Sequence, residues 1–178
     1  MGQFGWVQTV AFVGAGIGTL ALAYALRQLT AGTWGSRVGS LLVGVYGVGA
    51  VLIAIFPTDR IDSLADMASL STAGLIHAAA ALMSSVSMIA AMAVFVRTFA
   101  LDSRWRPLMP WIVLLPTGTF SLLLSQSEGP RVGLMQRLMV GAIAAWIIVV
   151  AVRMRAIVTS AEASPLEQAP YSGSPQRV

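Results

Sequence analysis

Ile55-Phe56-Pro57-Thr58-Asp59 and, after a polar connection, Gly74-Leu75-Ile76-His77-Ala78-Ala79 decide how this chain is read. An uncharged apolar run stops at Pro57, an acid follows two residues later, and the sole histidine stands just inside the next apolar run. Proline has no N–H to give and clashes with the preceding turn, so a helix arriving at Phe56 ends there. Ser71 or Thr72 can then cap the next helix. Two long apolar helices joined at a polar corner are the pattern of a polytopic membrane protein.

The rest of the chain repeats that pattern. Uncharged or nearly uncharged runs cover Trp6 to Leu26, Val38 to Phe56, Ala73 to Val96, Leu108 to Ser125 and Val132 to Val152. Each is close to the roughly 20 residues needed to cross a bilayer. Only 10% of the 178 residues are charged, against about a quarter in soluble domains. Mean hydropathy is +0.80. So few charges cannot cover a water-facing surface. The fold expected is an all-α bundle of five transmembrane helices over residues 1–156, followed by a flexible tail over 157–178, where Pro165, Pro170 and Pro175 sit among polar residues. Between the second and third spans, Ile61, Leu64, Ala65 and Ala68 recur at helical spacing and suggest a short interfacial helix capped by Thr58 or Asp59.

Composition also excludes functions. Without cysteine there are no disulfides, thiolate metal sites or cysteine nucleophiles. The net charge of +4 comes from arginine alone, scattered at the ends of apolar runs as helix anchors rather than gathered to bind nucleic acid. Gly14-Ala15-Gly16-Ile17-Gly18 lies within an apolar run, without the strand-to-helix setting of a nucleotide loop. Its Gly14 and Gly18 read instead as a small-residue pair for close helix packing, echoed by Gly35/Gly39 and Gly141/Ala145. Ser84, Ser85 and Ser87 are expected to bond the carbonyls of the preceding turn. Trp6, Trp34, Trp105 and Trp111 fall near run ends, where tryptophan anchors helices at the interface.

Arginine placement gives a topology. Arg27, Arg37, Arg97, Arg104, Arg106, Arg153 and Arg155 fall on one side. Arg60, Arg131 and Arg137 fall on the other, with Asp59, Asp62, Asp66 and Glu128. The positive-inside rule then puts the N-terminus outside and the C-terminus in the cytoplasm.

Asp59, His77 and Arg137 are the site candidates. Ionisable groups inside a span usually face protein or water and have a partner. The three are expected to converge near the outer ends of helices two, three and five. One reading is structural, an ion pair or hydrogen bond pinning those helices. A second is a catalytic or ligand site on Asp59 and His77. A third makes His77 an axial ligand of a tetrapyrrole, with room left by Gly74, Ala78, Ala80 and Ala81. A metal centre is not expected, since one histidine falls short of the three or four ligands it needs.

Gly5-Trp6-Val7-Gln8-Thr9, Gly47-Val48-Gly49 leading to Phe56-Pro57-Thr58-Asp59, and His77 together resemble a family of bacterial membrane proteins, the domain-of-unknown-function family 998. The resemblance covers about Gly5 to Val152. It implies the multi-span fold, marks Asp59 and His77, and implies no activity. Members usually resemble six-span proteins, and this chain begins where their second span would. The expected role is a non-enzymatic accessory or structural subunit of a larger membrane complex, in contact with membrane lipids and other membrane subunits. The alternative is an enzyme acting on lipid, or a lipid or ligand binder, at the outer interface around Asp59 and His77.

Overall fold

The computed structural model describes residues 5–59, 69–125 and 132–167, and in the last stretch the side chains of 133–162. Its elements are α1 (Gly5–Leu29), α2 (Trp34–Ile55), α3 (Thr72–Ala100), a 3-10 helix (Ser103–Leu108), α4 (Met109–Leu124) and α5 (Val132–Glu167). Five helical segments are long and apolar enough to cross a membrane. At about 1.5 Å per residue, the 22 residues of α2 span about 33 Å, which matches the hydrocarbon thickness. The expected interfacial helix with Ile61, Leu64, Ala65 and Ala68 lies outside the described residues, as do Arg60, Arg131 and residues 168–178.

Helix α5 runs past Ala156 to Glu167, and Ile157 is buried. Its 36 residues make about 54 Å of helix, well beyond the bilayer core, so the polar turns after Arg153 reach past the apolar layer. Loss of apolar periodicity marked the end of the span, not of the helix.

Helix α2 is the centre of the first three. Its N-cap Thr33 accepts from the Ser36 amide at 2.9 Å, and Ser36 Oγ donates to the Arg27 carbonyl at 2.9 Å, closing the α1–α2 turn. A Cβ on Gly16 would stand 2.8 Å from the Gly47 carbonyl oxygen, and one on Gly47 2.9 Å from that of Gly16. The two backbones therefore touch, which only glycine allows. Gly35, Gly39 and Gly49 face α3 and leave room for the side chains of Thr98, Phe95 and Ser84. The pair expected to pack in α1, Gly14 and Gly18, instead has open space, as has Gly141. Ser84, Ser85 and Ser87 bond carbonyls of the preceding turn, as expected.

The core concentrates at the end where α1 stops and α2 begins. Leu26, Val43, Met92, Phe95, Phe99, Ile112, Trp146 and Val150 are buried there with Trp105. Trp105 is thus no interfacial anchor: the 3-10 helix folds it under the end of α3, where it stacks on Phe99 with ring centres 3.7 Å apart. Trp6, Trp34 and Trp111 are exposed, as anchors should be. Asp102 caps the 3-10 helix and pairs with Arg104 at 2.7 Å, while Arg153 of α5 donates to the Arg104 carbonyl. These bonds join α5 to the α3–α4 connection.

Candidate functional site

At the opposite end, α2 stops as its sequence dictates. Phe56 leaves the helix in an extended conformation after its N–H reaches the Leu52 carbonyl. Pro57 offers no N–H to the Ile53 carbonyl one turn back. The Phe56 carbonyl, turned out of the helix, is held by His77 Nδ1 at 2.8 Å. A carbonyl only accepts, so Nδ1 carries a proton, and in the neutral form of the ring Nε2 is then an acceptor.

Asp59 makes the second tie. Its carboxylate accepts from the Ser71 amide at 2.7 Å and from the Ser71 hydroxyl at 3.0 Å. Ser71 Oγ in turn accepts from the Gly74 amide at 3.0 Å, as N-cap of α3. A side chain at position 74 would collide with the Asp59 carboxylate, so the acid lies directly over the first turn of α3. That end of a helix carries a partial positive charge, which suits an acid. Asp59 therefore caps toward α3 across the connection.

The structure brings Asp59 and His77 to one corner but engages them separately. Among the described residues no ion pair joins Asp59 to His77 or to Arg137. Arg137 is exposed on α5, its guanidinium reaching back along the helix over Gly133. A long arginine does this to reach the interface from inside a span. The expected direct three-way contact is not made, because Ser71 satisfies the acid and the Phe56 carbonyl satisfies the imidazole.

A cavity of about 170 Å³ opens beside His77. Its walls include Gln8, Thr9 and Phe12 of α1, Pro57 and Thr58 after α2, and His77 of α3. Gly5, Gln8, Thr9 and Phe12 follow the i, i+3, i+4, i+7 pattern of one helix face. Sequence reading named Asp59 and His77 and missed this α1 wall. The available signal was Gln8 beside Thr9, a polar pair inside an otherwise apolar first span. A cavity of about 150 Å³ holds a molecule the size of benzene, so the four-ringed tetrapyrrole considered for His77 does not fit this space.

The hydroxyl protons at the cavity are already spoken for. Thr9 Oγ1 donates to the Gly5 carbonyl at 3.4 Å, and Thr58 Oγ1 donates to the Asp59 carbonyl at 3.1 Å. Both oxygens keep lone pairs free to accept, as does His77 Nε2.

A family model described as "Protein of unknown function (DUF998)" matches residues 1–153. The chain belongs to this family. The DUF998 match takes in all three walls of the cavity and ends within α5, before its last turns. No significant match to a curated protein or to a solved structure was found.

Proposed function

We propose that this multi-pass membrane protein of the DUF998 family is a binding protein for a small polar ligand or lipid headgroup, held between α1, α2 and α3 at the Asp59 end. The carrying observation is the cavity itself: three segments distant in sequence place Gln8, Thr9, Thr58 and His77 around one space of about 170 Å³. Binding is favoured over turnover because, among the described residues, His77 is the single titratable side chain on the cavity wall and its Nδ1 is bonded to a backbone carbonyl, not to a carboxylate. Gentle detergent extraction followed by mass spectrometry tests this. A stoichiometric small molecule is expected from the wild type and not from Gln8→Leu. Its absence from both would remove the reading.

A second reading, an accessory or structural subunit of a larger membrane complex, is favoured by Gly14 and Gly18, which leave open space along α1. A stoichiometric protein partner in the same extraction supports it, and Gly14→Leu should then release that partner. For orientation we propose a bacterial inner membrane, with the arginine-rich end of the bundle cytoplasmic and the cavity outside. The chain has no cysteine, so single cysteines at Ser63 and Ser103 should label from opposite sides, Ser63 from outside.

A further inference from the structure

We infer that the cavity takes a primary ammonium group, of the kind carried by an ethanolamine headgroup. This rests on the binding reading above and names its ligand class. The argument is an inventory of hydrogen-bonding capacity. Thr9 and Thr58 have given their protons to backbone carbonyls, and His77 has given its Nδ1 proton to Phe56. What these three turn to a ligand is acceptor capacity. Helix α2 adds to this, because Ile53 and Ala54 of its last turn border the cavity and Pro57 cannot bond the Ile53 carbonyl. A helix C-terminus carries a partial negative charge. Gln8 can present its amide oxygen as well.

The polar groups on this mostly apolar wall offer acceptors, so a ligand there must supply donors. A primary ammonium has three N–H donors on a compact cation. A quaternary ammonium has none and is normally held by an aromatic cage, whereas Phe12 is the single aromatic side chain on this wall among the described residues. A divalent metal would want carboxylates or several imidazoles, and among the described residues the wall has one imidazole and no carboxylate.

The full-length protein in nanodiscs of equal phosphatidylethanolamine, phosphatidylcholine and phosphatidylglycerol, released for native mass spectrometry, gives the test. Ethanolamine lipid should be retained over choline lipid by about tenfold, the ratio expected of one good charge-assisted hydrogen bond. Thr9→Val and His77→Asn should each reduce that ratio severalfold while phosphatidylglycerol retention stays the same. Asn can still donate to the Phe56 carbonyl, so this variant removes Nε2 without releasing the α2–α3 corner. In a parallel arm, free ethanolamine is titrated into nanodiscs lacking the ethanolamine lipid. Saturable binding there, lost in both variants and without lipid preference in the first arm, supports the same ammonium site filled from solution. Equal retention of choline and ethanolamine lipids, reduced equally by both variants, would overturn the ammonium assignment and leave the binding reading standing. Failure of lipid and free amine alike to respond to either variant overturns both.

Discussion

The two ends of this bundle are built on different principles. At the arginine-rich end, Phe95, Phe99, Trp105 and Trp146 interlock side chain on side chain, and the indole N–H groups of both tryptophans are buried without an acceptor among the described residues. Packing outweighs hydrogen bonding there. At the Asp59 end, two polar side chains hold the backbone of the corner, and a space is left beside them. Where lipid tails are as apolar as the core, helices gain little from hiding apolar surface and associate through close packing and hydrogen bonds. One end relies on the first and the other on the second, and it is the second that leaves room for a ligand.

The largest expected effect breaks this contrast directly. Trp105→Ala should cost about 3 kcal/mol, the lower part of the range for large aromatic truncations, because the lost N–H had no partner. Phe12→Ala at the cavity should cost about 1 kcal/mol, since that side chain is only partly buried. Reversible unfolding in mixed micelles measures both, and equal costs would mean that the ends do not differ.

Next come the glycines. Gly49→Val drives a side chain into Ser84 and should destabilise by about 1 to 3 kcal/mol, as overpacking does. Gly18→Ala meets open space and should be neutral or stabilise by up to about 1 kcal/mol through helix propensity. A large loss from Gly18→Ala would place a partner on that face of α1.

Asp59→Ala removes both acceptors for Ser71 and should cost about 1 to 2 kcal/mol, the range for a lost helix cap. Hydrogen exchange should show the loss at the first turn of α3, with protection around Trp105 unchanged. Uniform loss would mean that the corner and the aromatic core unfold together.

The smallest effect is at Asp102. The hydrogen bond from Arg104 holds its carboxyl below the ordinary value of 3.8. A depressed folded value means that the stabilisation is present above the ordinary value and fades as pH falls through the lower, folded one. The pair is exposed, so Asp102→Asn should cost a few tenths of a kcal/mol near neutral pH and nothing in strong acid. Unfolding at several pH values reads the difference.

The spans were legible because length and hydropathy alone define them. Asp59 and His77 were legible because polar side chains are rare in such a chain. The facing of each helix was not. In a soluble helix the apolar stripe shows which side is buried, but here every side of α1 is apolar, so Gly14 and Gly18 looked as suited to packing as Gly16. The α1 wall of the cavity had a signal in Gln8 and Thr9, but nothing in the pattern showed which neighbours they face. Trp105 was misread because an aromatic near a span end suits an interfacial anchor and a stacked core equally well until the 3-10 helix fixes its direction. Charge counting brought Arg137 near Asp59, but it could not show that Ser71 already fills the carboxylate.

The bond from Asp59 to Ser71 also makes the connection between them a place where foreign sequence can be accommodated. Both ends of that stretch are fastened to the corner, so its length has little leverage on the helices. Doubling the length of a closed loop adds only about 0.6 kcal/mol of closure entropy. An epitope, a fluorescent reporter or a small folded module spliced in between should leave the bundle intact, and would give a handle on the protein at the end where the cavity lies.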